Sequence, residues 1–589
     1  MCSTHLNSLS TLANIRLTTK KKLMKKITLL TMIMLLTCFY VLKAQINNTT
    51  STQKLTHQMS EEEKLLFKQY QSKLVASAGP TKPVRNIAEF EPTEAAIIAY
   101  PGQFGIPLSL IKDLSNDGKL IVITSSSDKA SATSAMQSGG VNMANVQYLI
   151  ATVDSYWARD YTGWFIADGN NKVGIVDFKY DRPRANDDAI PIKQGTFLNE
   201  TVYSMPLTHT GGNYMCDGMG KATSTDLVWD ENSISHAQID QNMLDYLGIN
   251  NYMVVNDAQG EYIKHIDCWG KFLAVDKILI DSVPSSDPRF SAYQAAAAYY
   301  ANTNCSYGYK YKVIRPYCAG SKAGGYSNSF ICNDKVYIAL KGTSYDAAAI
   351  NVYKKAMPGY TVRGYLGASA TPWEATDALH CRVHEIADRG MLYINHVPLH
   401  DKVCSTTGYK ISINAVSYSG TAMKAGYPMV KYRLNAGAWD SIPMVLSTAN
   451  NYDATIPNQS NGVVVDYYIK AIDASNKLAN HPFIGAPDPH KFTAYCNNTG
   501  IDEITFETNF STYPNPSNGN FYVYLDSKKN CTARIKIMNL LGQAVFNESF
   551  DLNSGISLKN INLSEINKGV YFIEYKTDRE TITKQIVIN

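Results

Sequence analysis

Two kinds of apolar run alternate between about residue 84 and His400. Short runs rich in Val, Ile and Leu, such as "AAIIAYP", "LIVITSS", "KVGIVDF", "NYMVVND", "KILIDSV", "KYKVIRP" and "KVYIALK", predict strands. Between them "HAQIDQNMLDYLGI", "SAYQAAAAYYANT" and "AAAINVYKKAM" carry the wider spacing of helices. Strands alternating with helices predict an α/β domain over 84–401. After Asp401 the helical spacing stops, and "YKISINAVSY", "MVKYRLNAGAW" and "VVVDYYIKAIDA" predict an all-β sandwich over 402–496. A polar linker, 497–509, leads to a second small β unit over 510–589. Upstream, 45–83 is a polar leader with one helix expected to start near Ser60, where Ser-x-x-Glu resembles a capping box.

The first 44 residues differ from everything after them. Lys25 and Lys26 precede an apolar run from Ile27 to Leu42, followed by Lys43 and Ala44. A run short of the ~20 residues needed to span a bilayer, with a charged start and a small residue at its end, predicts a secretory signal peptide cleaved after Ala44. Residues 1–23 read as an upstream extension.

Composition fits this division. The chain of 589 residues is 45% hydrophobic, 11% aromatic and 18% charged, enough to bury several cores. The net charge of +4 arises from seven Lys or Arg before Gln45, where no acid occurs, so the remainder is slightly acidic and a nucleic-acid surface is not expected. Beyond the signal nine cysteines remain, an odd number that leaves at least one thiol unpaired. Cys404 and Cys496 flank the sandwich and are candidates to pair.

Four stretches carry candidate chemistry. If "YIKHIDCW" is a strand, His265 and Asp267 share one face, as a catalytic pair, a polar sheet edge or a metal pair, although no further His/Asp cluster at helical ligand spacing accompanies them. "DSYWARDYTGWF" sets Arg159 and Asp160 among aromatics, either a buried ion pair or a cation pocket with Trp157 as its flat wall. In "YDRPRANDD", Pro183 extends the chain so that Arg182 and Arg184 can point the same way and hold a carboxylate or phosphate, unless the loop is simply solvated. Cys381 in "ATDALHCRVHE" lies between His380 and His384. Its local sequence leaves burial, nucleophile and metal ligand all open, although no second ligand pair at zinc spacing accompanies it.

Together, "WARD", "DRPRAND", "THTGGNYMCDG", "GEYIKHIDCWGK", "YSNSF" and "ATDALHCRVHE" resemble the Porphyromonas-type peptidylarginine deiminases, relatives of agmatine deiminases in the guanidino-group-modifying superfamily. The resemblance spans about 84–400. It implies the pentein fold, a five-bladed αβ propeller around a central active site. It also implies Cys381 as nucleophile, His265 as general acid and base, Asp160 and Asp267 as the carboxylates gripping a guanidinium, and Asn328 as a further catalytic residue. Arg182 and Arg184 would hold a substrate's C-terminal carboxylate, while Trp157, Tyr262, Ile263 and Thr376 would line the pocket. No cofactor or metal is implied.

The segment 402–496 resembles the immunoglobulin-like domain that follows such catalytic domains. "YPNPSNGNF", "LLGQAVF" and "KGVYFIEYKTDRETITKQIVIN" resemble the type IX secretion sorting domain. The expected activity is conversion of peptidyl arginine, preferably C-terminal, to citrulline and ammonia by a secreted or surface-held enzyme. Its expected partners are arginine-containing peptides and proteins and the type IX machinery, with outer-membrane attachment possible and no nucleic acid. The competing expectations are an agmatine or free-arginine deiminase, whose substrate need not carry a carboxylate, and an inactive surface adhesin.

Overall fold

The computed structural model describes residues 56–71, 76–317, 319–320, 325–496 and 508–589. The expected signal peptide and most of the linker lie outside these residues. The chain divides into two compact units, residues 1–496 and 497–589.

Within the first unit, 85–387 folds into five small mixed sheets built on one plan. Each contains an antiparallel pair followed, through one or more helices, by a strand parallel to its second member. The pairs are Trp164–Ala167 with Val173–Tyr180, Met215–Cys216 with Lys221–Thr225, Gly270–Ala274 with Lys277–Ile280, and Phe330–Cys332 with Lys335–Leu340. Their parallel partners are Val202–His209, Asn251–Val255, Lys312–Ile314 and Thr361–Leu366. The fifth sheet joins the two ends of the region: His384–Ala387 pairs antiparallel with Thr93–Tyr100, which runs parallel to Lys119–Thr124.

The local reasons are visible in the sequence. Thr93–Tyr100 is buried on nearly every residue, as a continuous apolar run in a covered parallel strand should be. The helix His236–Leu247 starts at Ser235, which forms a capping box with Gln238, and ends at Gly248, whose φ of 69° supplies the left-handed cap. Its Ile239, Met243, Tyr246 and Leu247 form the buried stripe.

A β-sandwich completes the first unit. One sheet runs Leu392–Asn395, Tyr409–Ser417, Asn451–Ile456, Val445–Thr448. The other is built around Val464–Ile472 and Met429–Leu434. In Tyr409–Ser417 the residues Tyr409, Ile411, Ile413 and Ala415 face the core while Lys410 and Ser412 face solvent. The first strand lies upstream of the 401/402 boundary, because Leu392–Asn395, soon after the closing strand His384–Ala387, already pairs with Tyr409–Ser417 of the sandwich. Cys404 and Cys496 form a disulfide across the sandwich's ends. Ion pairs Lys277–Asp488 and Lys477–Asp388 fasten sandwich to α/β region.

The second unit holds two antiparallel sheets, of which one runs Ala544–Leu552, Cys531–Met538, Gly569–Lys576, Thr581–Ile588. Phe521, Val523, Ile535, Ile537, Ile573 and Ile586 are its core. Among the described residues no helix is long and apolar enough to cross a membrane.

Candidate active site

The chemistry-bearing residues occupy equivalent places in the repeated plan, just ahead of the first strand of an antiparallel pair. Asp160 lies in the turn Ala158–Tyr161, Gly212 in Gly211–Asn213, Asp267 in Ile266–Cys268 with His265 at its start, and Cys381 in His380–Arg382. Asn328 precedes Phe330–Cys332 in the same way without a helical turn. Five short turns thus bring together residues far apart in sequence.

The strand expected over "YIKHIDCW" is absent. Gly260 and Lys264 take φ of 68° and 51°, left-handed values that interrupt an extended chain, and a single 3-10 turn follows. His265 and Asp267 reach the site from a turn rather than from one strand face.

Cys381 is fully buried beside Tyr156 and Trp157. Asn328 Nδ2 lies 3.2 Å from its sulfur, and Asn328 Oδ1 accepts from the His380 backbone N–H at 2.8 Å, so this one amide fixes the turn that carries the thiol. Asp267 Oδ2 is 3.7 Å from the sulfur. Burial raises the thiol's pKa to about 11.

The two aspartates flanking the thiol are treated differently. Burial would raise Asp267, but His380 Nδ1 at 2.7 Å and nearby positive charge hold it below the ordinary carboxylate value. His380 Nε2 contacts Glu89 at 2.7 Å, and Glu89 also pairs with Lys271 and Arg159. His380 therefore braces Asp267, and Arg159, bound also to Glu385 and the Val383 carbonyl, belongs to the support beneath it. For Asp160 burial outweighs the nearby positive charge of His265 and Arg182, and it is lifted to about 7.

His265 stands between carboxylates, Nδ1 3.7 Å from Asp160 Oδ1 and Nε2 3.8 Å from Asp181 Oδ2, and neither nitrogen has a hydrogen-bond partner. Gly212 makes this approach feasible, since a Cβ there would lie 2.4 Å from His265 Nδ1 and 2.7 Å from Asp160 Oδ1.

Arg182 and Arg184 are both buried and both turn toward the leader. Arg182 Nη1 pairs with Asp181 at 2.7 Å and its Nε donates to the His57 carbonyl at 3.1 Å. Arg184 donates to Glu63 Oε1 at 2.8 Å and to the Thr56 carbonyl at 2.7 Å. Thr376 presents its carbonyl 4.0 Å from the Cys381 sulfur, and its hydroxyl is 3.5 Å from Tyr262 OH, at a position where Tyr262 is 43% exposed. Ile263 is buried in the main core.

Three residues escaped the sequence reading. Asp181 and Asp377 stood inside quoted motifs; Asp181 adjoins Arg182 in sequence, whereas Asp377 meets Arg382 five residues on only in the fold. His57 was not readable at all: it lies in a polar leader, yet its Nε2 is 2.5 Å from Asp160 Oδ2 and its ring stacks on Trp157 at 4.6 Å and 6°. Burial keeps it neutral, with a pKa near 4. His57, Asp160 and His265, and likewise His57, Asp377 and Cys381, bring donor atoms within 4.8 Å of one another, sets that a metal ion could use.

Residues 85–386 match the sequence model of the Porphyromonas-type peptidyl-arginine deiminase, and 511–589 match that of a secretion system C-terminal sorting domain. A protein of Yersinia pestis named "Putative agmatine deiminase" is 24% identical over 262 residues, covering 38% of this chain and 72% of that protein. One of the same name from Selenomonas ruminantium is 21% identical over 329 residues, covering 46% and 87%. The solved agmatine deiminase of Enterococcus faecalis has 17% identity and a TM-score of 0.46, covering 54% of this chain and all of that one.

Proposed function

Because the chain belongs to the Porphyromonas-type peptidyl-arginine deiminase family, hydrolases of guanidino C–N bonds, we propose that it converts peptidyl arginine, preferably at a C-terminus, to citrulline and ammonia. The observation that carries this reading is the convergence of a buried thiol, Cys381, with Asp267, Asp160 and His265 beside the buried Trp157, over which Arg184 lies.

A guanidinium is planar, always charged and ringed with N–H donors. Asp160 and Asp267 accept those donors, Trp157 covers one face, and the carbon is held before Cys381 Sγ. The bound cation favours thiolate, offsetting the burial that otherwise keeps the thiol protonated. Sulfur then bonds to the carbon. His265, standing between Asp160 and Asp181, protonates the departing nitrogen, and the C–N bond breaks to release ammonia. In the second half His265 removes a proton from water, whose oxygen attacks the thiouronium carbon, and the C–S bond breaks to give citrulline and restore the thiol. Arginine and water become citrulline and ammonia. No step requires a metal.

Arg182 and Arg184 favour a carboxylate-bearing substrate, since a guanidino amine without one would bring no anion to this buried pair. We read the five sheets as blades of a closed propeller, with the five turns meeting at its axis, and the sandwich as immunoglobulin-like. The sorting domain at 511–589 supports type IX export to the cell surface or medium.

Cys381→Ser incubated with a peptide ending in arginine should yield no citrulline, and undiminished turnover would remove the nucleophile. Wild type should prefer that peptide to agmatine, with Arg182→Ala and Arg184→Ala narrowing the gap. A preference for agmatine that survives both substitutions would establish the competing specificity.

A further inference from the structure

The residues proposed to bind substrate are already in use by the protein's own leader. His57 places a flat ring with an N–H donor on Trp157 and against Asp160, with its edge toward His265 at 5.5 Å between ring centres. One of its ring nitrogens also lies within 4.8 Å of the Cys381 sulfur and of an Asp377 carboxylate oxygen. This is the position in which a planar guanidinium would be gripped. The arginine pair is occupied as well, by the Thr56 and His57 carbonyls and by the Glu63 carboxylate, which supplies the charge that a C-terminal carboxylate would bring. Glu63 is fixed in turn by its capping box with Ser60 at the start of the helix Glu61–Gln71.

The segment covers a site that is closed to solvent. Cys381 and His265 are almost wholly shielded from solvent, and His57 itself is 3% exposed although it comes from an otherwise polar leader. A neutral imidazole is a poorer partner for two carboxylates than a guanidinium. It is tethered, however, and an attached group acts at an effective concentration on the order of millimolar, above the level of most free substrates.

We propose that residues 56–63 form an autoinhibitory plug, with His57 in the guanidinium seat and Glu63 in the carboxylate seat, and that displacing or removing the segment opens the enzyme. The identity of the seats rests on the deiminase reading above. The obstruction of Cys381 does not, so the test measures access to the thiol directly.

Full-length wild type, His57→Ala and Glu63→Gln would be treated with 2-chloroacetamidine, a small planar cation. The Cys381 sulfur displaces chloride and forms an S–C bond, and the adduct is followed by mass spectrometry with Cys381→Ser as the blank. Glu63→Gln touches only the leader's anchor, and circular dichroism verifies that each variant is folded. Alkylation should accelerate about tenfold or more in His57→Ala, as the open fraction rises, and by a smaller factor in Glu63→Gln. Equal rates in wild type and both variants would overturn the plug. Accelerated alkylation without turnover of any arginine compound would uphold the plug while discarding the proposed reaction.

Discussion

Gly212→Ala isolates the close approach that builds the site. The added methyl would sit 2.4 Å from His265 Nδ1 and 2.7 Å from Asp160 Oδ1, whereas non-bonded atoms rest at about 3.5 Å or more. One or both groups must retreat by about 1 Å. The backbone at Gly212 is not in the left-handed region, so the contact rather than the chain conformation carries the effect. Overpacking of this kind costs about 1–3 kcal/mol of stability. Displacing a reacting group by about 1 Å costs about 10²-fold in rate, so activity should suffer out of proportion to folding. The assay is kcat/KM for citrulline formation, beside a urea unfolding curve, in wild type and in a His57→Ala background so that an occluded chamber does not mask the loss. Gly390→Ala is the control, because its nearest neighbour would be 3.8 Å away, and it should change neither quantity. Gly212→Ala within about threefold of its parent in both backgrounds would refute the claim that this glycine sets the His265 and Asp160 positions.

Other substitutions probe separate parts of the reasoning. His380→Ala removes the brace between Asp267 and Glu89 and should cost about 3–5 kcal/mol in urea unfolding together with most of kcat, while an unchanged midpoint would mean the pair needs no bridge. The Cys381 thiol, raised to about 11 by burial, is protonated at pH 7 in the substrate-free chain. Its alkylation by neutral iodoacetamide should therefore climb roughly tenfold per pH unit from 7 to 10, and a plateau near pH 8 would contradict that assignment. Replacing both Cys404 and Cys496 with Ala opens a sequence separation of 92 residues and should lower the sandwich's stability by about 2–5 kcal/mol without altering turnover; a parallel loss of turnover would show that the sandwich supports the site.

The alternation of apolar runs was enough to read the α/β region and the β domains, because each element's burial pattern is local. The site was legible unevenly. Cys381 and His265 lie far apart and meet only because each precedes the first strand of its own sheet, which no spacing rule reports. The strand expected around His265 was wrong because Lys264 adopts a left-handed conformation that its residue type does not advertise. The paired glycines of "THTGGN" did carry a readable sign of close approach, now traced to Arg159, His265 and Asp160. His57 carried none, since only tertiary contact distinguishes it from any histidine in a polar leader.

The fifth sheet has a consequence for the order in which a working molecule can arise. The thiol's turn runs directly into His384–Ala387, and that strand finds its partner only in Thr93–Tyr100, at the opposite end of the α/β region. Such a pairing closes one of the longest loops in the unit and is entropically costly until the intervening sheets exist. A polypeptide interrupted before the late strand would hold His265, Asp160 and Asp267 in outline yet possess neither sulfur nor closure. Within the α/β region the thiol and the closing strand are therefore the last parts to be made, although the sandwich and the second unit still follow them along the chain.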